Sequence, residues 1–379
     1  MKIGILSMQR VVNSGSLLQA YGLRETLKAL AGCEVEFIDY ESAAKAEVIQ
    51  EKKPPFLIQL LKNVKHTILP AYRPRMEAKR YVKKFTEKWR ESLPAVGVQD
   101  ELNGIEKNHY DLAVIGSDEV FNLCQFSDSK AEIPWSLLGE GIHAKRLISY
   151  AASCGQTTLE KIDAIGEELH CASLLKRFQA ISVRDENTFH VVEALTGITP
   201  QYHIDPVLLS SHFPKEASYR KLPYKYMLVY AYTWRISSED EIKAIKAYAQ
   251  THRLKTVCIN CYHPWCDHTI ACTPFAVLQY VRDAECVVSD TFHGTVFSIR
   301  ENVPFAVLVR ESNSCKLRFL LRQFGLESRE AKNSEEIGSI LRQPIDFATV
   351  NARLNEERTK ALQYLRKQIE LVEDSSIGA

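Results

Sequence analysis

Short apolar runs alternate along this chain with longer stretches of helical period. That is the pattern of parallel strands joined by helices. In the first half, Ile3–Leu6, Val35–Ile38, Leu112–Ile115, Arg146–Ala151 and Ala180–Val183 read as strands. A second series follows with Tyr226–Ala231, Lys255–Ile259, Cys286–Ser289 and Phe305–Val309. Helices are expected from Leu17 to near Gly32, over Ser237–Thr251 and over Gly294–Glu301. In the second of these, Ser238 is the candidate cap and Glu241 follows three residues later. A last helix is expected from about Val350 to Val372, charged on one face. Three strands of the first series end in small or polar residues: Gly116-Ser117-Asp118, Ser153-Cys154-Gly155 and Arg184-Asp185-Glu186. Ligands of open α/β sheets bind at such carboxyl ends.

Two strand series imply two lobes, and 379 residues suit two ordinary domains. The Ser-, Pro- and His-bearing stretch Ser210–Pro223 is the candidate linker. The expected division is residues 1–212, residues 213–349 and a tail, 350–379. Tails of this kind often return to the first lobe of two-lobed transferases, so the tail's own assignment stays open. Residues 44–92 stand apart, with 13 Lys/Arg against 5 Asp/Glu and an apolar start at Pro54–Leu61. They read either as a solvated helical insertion with a buried stripe or as a surface for anionic lipid.

Composition narrows the function. Hydrophobic residues make up 45% and charged residues 25%, which is globular. A net charge of +1 gives no global reason to expect nucleic acid. No apolar run approaches the roughly 18–20 residues of a membrane span, and the apolar part of Met1–Ser7 is too short for a signal peptide. Ten cysteines without a framework spacing read as reduced thiols, so a cytoplasmic protein is expected. Cys258, Cys261, His263, Cys266, His268 and Cys272 crowd into fifteen residues, but not in the paired spacing of a zinc module. No metal and no bound cofactor are expected.

The densest chemical signal is Ser289-Asp290-Thr291-Phe292-His293-Gly294-Thr295, between a strand and a helix. It puts His293 on the sheet rim at a helix start, where backbone N–H groups favour an anion, unless it is a capping or core histidine. Arg184, directly after a strand, carries a planar fork suited to carboxylate or phosphate, unless Asp185 or Glu186 takes it. Asn13-Ser14-Gly15-Ser16 opens the first helix, either as an ordinary helix cap or as a place where glycine permits close approach of a ligand. Asp118 or Glu119 could accept a proton from a sugar hydroxyl or hold it in place, unless Asp118 simply caps the next helix. Ser117 and Asn122 flank Asp118.

Taken in order, these pieces resemble the polysaccharide pyruvyltransferase family. The likeness runs through Asn13–Gln19, Gly116-Ser117-Asp118 with Asn122, Tyr150–Ser153, Ser182–Asp185, Ile204–Leu209, Ser289–Ser298 and Pro304-Phe305. It ends with Leu320-Leu321 and Gly325-Leu326. The resemblance implies an α/β protein of two Rossmann-like lobes, like the B-type glycosyltransferases, with the active site in the inter-lobe cleft. It implies phosphoenolpyruvate as co-substrate and a sugar diol as acceptor, free or lipid-linked, closed into a cyclic pyruvate ketal. His293 falls on the family's catalytic histidine and Arg184 on its donor arginine. Thr291 stands where well-studied members carry arginine, and Glu119 and Phe121 stand where Gln and Trp are common. A donor cation must then come from elsewhere: Lys316 first, with Arg310 and Arg318 close in sequence.

The expected sites are therefore His293 and Asp118 for chemistry, and Arg184, Lys316, Gly294 and Thr291 for the donor. Asn13, Gly15, Ser16, Ser117 and Asn122 are expected at the acceptor or cleft. A lipid-linked acceptor would bring peripheral contact with an anionic membrane. Two other readings stay open at this point: a nucleotide-sugar glycosyltransferase of the same fold, and a non-catalytic carbohydrate-binding relative.

Overall fold

The structure is a computed structural model and describes residues 1–39, 73–99, 101–105, 109–124 and 133–377. In the first lobe, β1 (Ile3–Leu6), α1 (Ser14–Ala31) and β2 (Val35–Ile38) are followed by α2 (Arg73–Val96). Then come β3 (His109–Asp118), β4 (His143–Ala152), α3 (Leu159–Ile165), α4 (Glu168–Leu175) and β5 (Ser182–Val183). α5 (Glu186–Thr196), β6 (Gln201–Tyr202) and the short α6 (Pro206–Leu209) complete it. The second lobe runs β7 (Tyr226–Tyr230), α7 (Glu239–Thr251), β8 (Lys255–Ile259), β9 (His268–Ile270) and α8 (Pro274–Arg282). It continues with β10 (Cys286–Ser289), α9 (Phe292–Glu301), β11 (Phe305–Val307), α10 (Ser314–Phe324) and α11 (Glu336–Arg342). The chain closes with α12 (Phe347–Ile377).

Each lobe holds one parallel sheet. The first has the order β2-β1-β3-β4-β5-β6 and the second β11-β10-β7-β8-β9. These are two Rossmann-like lobes. In each sheet the winding reverses once: between β1 and β3 in the first, and between β7 and β10 in the second. A crevice opens at such a reversal because the two flanking crossovers go to opposite faces.

The central strands are buried on both faces along their apolar runs, which explains that near-continuous apolar sequence. Ile3, Ile5, Val114, Leu228 and Val287 are fully buried. Each such side chain contributes about 1.5–3 kcal/mol. One apolar cluster runs from Leu17 and Leu23 of α1 into Phe275 and Val277 of α8, so it crosses between the lobes. Tyr21 packs there, 5.0 Å from the Phe275 ring.

Several bounds differ from expectation. α9 starts at Phe292, two residues early, because the Thr291 hydroxyl caps it by accepting from the Gly294 N–H at 3.0 Å. His293 therefore lies inside the first helical turn. β3 and β4 are each ten residues long, since their polar entry residues also pair: His109 with His143 and Tyr110 with Ala144. α2 takes up residues 73–92 of the basic stretch, burying Phe85, Trp89 and Leu93 on one stripe. Residues 44–72 of that stretch, with its apolar start, lie outside the described residues. The tail helix α12 lies on the first lobe. Tyr364 donates to the Ser149 carbonyl at 2.9 Å, Arg146 to Gln368 at 2.6 Å, and Arg358 to the Leu208 carbonyl at 2.7 Å.

Candidate active site

The two reversal points face one another. After β1 the chain turns into α1 through Asn13, whose Oδ1 accepts from the N–H groups of Gly15 (2.7 Å) and Ser16 (3.3 Å). After β10 it turns into α9 through Thr291. The His293 ring then packs onto Gly15 so closely that a Cβ there would stand 2.1 Å from His293 Cγ. Glycine is required at position 15 for this approach, not for a backbone angle. The second lobe also reaches across through Asn260, which donates to Ser14 Oγ at 3.0 Å.

A line of charges runs beneath this contact. Asp118, at the end of β3, accepts from Ser16 Oγ at 2.6 Å and pairs with an Arg184 terminal nitrogen at 3.0 Å. The other terminal nitrogen of Arg184 pairs with Asp205 at 2.9 Å. The same Asp205 oxygen lies 3.6 Å from His293 Nε2. Arg184 side-chain exposure is 2%, and its Nε has no partner among the described residues. Phe292 covers the guanidinium, 4.3 Å from Cζ to the ring centre. Burial pushes the Asp118 carboxyl up, but Arg184 and His293, with the Ser16 hydroxyl and Lys316, hold it well below the usual carboxylate range. Asp118 is thus an ionised acceptor. Its backbone has φ +79, a left-handed value that costs a non-glycine residue about 1–3 kcal/mol. Its carbonyl, accepting from the Ser153 N–H at 2.9 Å, helps to hold that conformation.

Glu119 starts a second group. It pairs with Lys316 from α10 and accepts from Asn122 Nδ2 at 2.6 Å. Burial raises the Glu119 carboxyl, but Lys316 leads the influences that bring it below its ordinary value. Lys316 also lines a cavity of about 510 Å³ at the lobe boundary. Lys161, Arg310 and the Asn187 amide line it too.

These positions sort the expected site residues. Asn13, Gly15, Ser16, Asp118, Arg184 and His293 come together, with Asn122 and Lys316 beside them. Ser117 does not join: its hydroxyl donates to the Ala151 carbonyl at 2.7 Å, and the residue is fully buried. Thr291 and Gly294 bond each other across the start of α9, so the Thr291 hydroxyl and the Gly294 N–H are engaged in the cap. The Arg184 fork is taken by Asp118 and Asp205, not by Asp185 or Glu186. Asp185 caps α5, and Glu186 pairs with Arg322 at 2.5 Å. Asp205 was missed as a site residue. Its sequence, Asp205-Pro206, reads as a helix cap, which it also is: its other oxygen accepts from the Val207 N–H at 2.9 Å.

Asp290, next to the histidine motif, is fully buried and pushed up to about 6 by that burial, against Arg235 and Arg310. In the cysteine–histidine stretch, Cys258 lies in β8. Thiol hydrogen bonds from Cys261 and Cys266 pull it well below the ordinary thiol value. Among the described residues, no group of three or more His, Cys, Asp or Glu side chains is placed to hold a metal ion.

The chain is similar in structure to a Streptomyces sp. SF2575 glycosyltransferase, SsfS6, complexed with thymidine diphosphate. That likeness has 14% identity, 99% of each chain covered and a TM-score of 0.45. It is also similar to a UDP-GlcNAc 2-epimerase from Neisseria meningitidis bound to UDP-GlcNAc, with 10% identity, 100% of each chain covered and a TM-score of 0.46. No curated protein matches it. By sequence, residues 13–320 match one family, from the Asn13 cap through β3, Arg184 and the His293 turn to α10. The chain belongs to the polysaccharide pyruvyl transferase family.

Proposed function

We propose that this chain transfers the pyruvyl group of phosphoenolpyruvate to two hydroxyls of one sugar, in a cell-surface polysaccharide or its lipid-linked precursor. The observation that carries this reading is the His293–Asp205–Arg184–Asp118 line between the two reversal points, in a member of this family.

The donor carries about three negative charges near neutral pH. Lys316 and Lys161 at the boundary cavity are the cations that suit it, Lys316 exchanging Glu119 for the donor. In this reading Arg184, with both terminal nitrogens on buried carboxylates, positions Asp118 and Asp205. In the reaction a proton adds to the donor's methylene carbon, leaving the adjacent carbon electrophilic. One sugar hydroxyl adds there and gives up its proton. The carbon–oxygen bond to phosphate breaks, phosphate leaves with one proton, and the second hydroxyl closes the ring with loss of the other. His293 delivers the proton to the donor, with the Asp205 carboxylate facing the ring 3.6 Å from Nε2. Asp118, ionised, accepts from the attacking hydroxyl. The scheme uses no metal or bound cofactor.

Incubation with phosphoenolpyruvate and candidate lipid-linked oligosaccharides, read by mass spectrometry, tests this. One ketal-linked pyruvyl group gained per acceptor, with one phosphate released, is the expected result. Binding of a nucleotide sugar, with none of phosphoenolpyruvate, would replace this reading by a glycosyltransferase. For a lipid-linked acceptor, the exposed Lys79, Arg80, Lys83 and Lys84 of α2 are the surface for an anionic membrane. Each basic residue adds about 1 kcal/mol there. Sedimentation with anionic vesicles at low salt and release as salt rises is expected. No sedimentation at low salt would remove the membrane from the scheme.

A further inference from the structure

The loop after β7 carries two large aromatic side chains that the fold does not use. Trp234 is 75% exposed and Tyr232 42% exposed. Buried aromatics are what a core wants, so two exposed ones side by side need another reason. Their rings are nearly parallel, 7° apart in plane with centroids at 5.7 Å. They are also held. Arg235 lies over the Tyr232 ring at 5.1 Å and is itself anchored to Ser312 Oγ at 3.0 Å and to the Asp290 carbonyl at 3.3 Å. The Arg235 N–H donates to the Tyr232 carbonyl at 2.9 Å, closing the turn.

Their place decides what they suit. β7 flanks the reversal point of the second sheet, so this loop borders the crevice with the His293 turn. Arg235, lying over the Tyr232 ring, donates to the Asp290 carbonyl and so ties this loop to the turn that carries His293. Burial first, then the charges of Asp118 and Glu119, raise the pKa of the Tyr232 hydroxyl. The aromatic pair therefore stands on the same side of the crevice as the His293 turn, within reach of those carboxylates. A flat apolar face next to ionised carboxylates matches one ligand shape. A pyranose has one face of C–H groups and a rim of hydroxyls.

We propose that Tyr232 and Trp234 form the shelf on which a pyranose ring of the acceptor glycan stacks, its hydroxyl rim turned toward Asp118. This rests on the acceptor being a sugar, as in the reading above, but not on the donor. The ring's C–H face meets the indole, and the shelf sets which face of the sugar is presented to the charged line.

Saturation-transfer difference NMR on the full chain tests the shelf without any donor. The probes are methyl α- and β-pyranosides of galactose, glucose, mannose, N-acetylglucosamine and N-acetylmannosamine. Signals on ring C–H protons are expected from at least one glycoside, lost in Trp234→Ala and partly kept in Trp234→Phe. No signal with any glycoside, or an undiminished signal in Trp234→Ala with its circular dichroism unchanged, overturns the proposal. In turnover assays, Trp234→Ala should raise the acceptor KM by about tenfold, the scale of one lost aromatic stack, and leave the phosphoenolpyruvate KM alone. A saccharide signal that depends on Trp234, without pyruvyl transfer, would sink the donor reading and keep the shelf.

Discussion

Gly15 and His293 form a pair in which the absence of one side chain makes room for the other. Adding a methyl at position 15 puts a carbon 2.2 Å from His293 Nδ1, so the ring must move. Gly15→Ala is therefore expected to lose activity by about 10²-fold, the usual cost of shifting a reacting group by an ångström. His293→Ala should lose about 10²–10⁴-fold, the range for a general acid. Circular dichroism should stay native in both. Near-normal pyruvyl transfer by either variant would move the chemistry away from this contact. At this scale the sequence was informative where a residue's role is local. His293, Asp118 and Asn13 each follow a strand in a turn rich in polar residues, and they are found together. Asp205 was not legible, because capping α6 accounts for it locally. Its pairing with Arg184 spans 21 residues and leaves no pattern. Thr291 and Gly294, expected at the donor, are instead seen bonded to each other in the cap of α9, a local bond that their spacing of three residues allows.

Among the elements, continuous apolar runs made the central strands readable, and β8 and β10 have the expected bounds. The short edge strands were not readable. β9 is only half-buried and carries His268 and Thr269, and β6 is the two residues Gln201-Tyr202. The tail helix raises a pH question through the strand ends it covers. His203 stacks on Tyr150 and lies tilted against Tyr364 of α12, with Nδ1 at 2.8 Å from Ser182 Oγ. Burial, with Lys360 adding to it, pushes this histidine down to about 4. Unfolded histidine titrates near 6.5. The folded state thus binds fewer protons, so this contribution is full above about pH 6.5 and is lost as pH falls toward 4. Wild type should lose on the order of 2 kcal/mol more than His203→Gln between pH 7 and pH 5. Urea unfolding at the two pH values checks it, and equal losses would clear His203 of the effect.

For the whole molecule, the lobes are joined by more than the stretch from 210 to 223. An apolar cluster runs across from α1 to α8, and α12 returns from the second lobe to β4. Cutting the exposed chain at Lys215 with an engineered protease site should therefore leave the two pieces together on native size-exclusion chromatography. Separation without denaturant would show that the covalent joint, not packing, unites the lobes. The two-lobed plan was readable from the two strand series. The return of α12 was raised only by analogy with other two-lobed transferases, because its charged face and apolar stripe would suit either lobe.

The returning tail also changes the topology. The second lobe is an insertion within the first, since chain enters it after α6 and leaves it again into α12. Two passages of chain therefore join the lobes, and Arg358 of the second is tied to the Leu208 carbonyl just ahead of the first. A body held by one thread can twist about it, whereas a second tie opposes that twist. The doubled joint thus helps to keep the His293 turn and Gly15 in register.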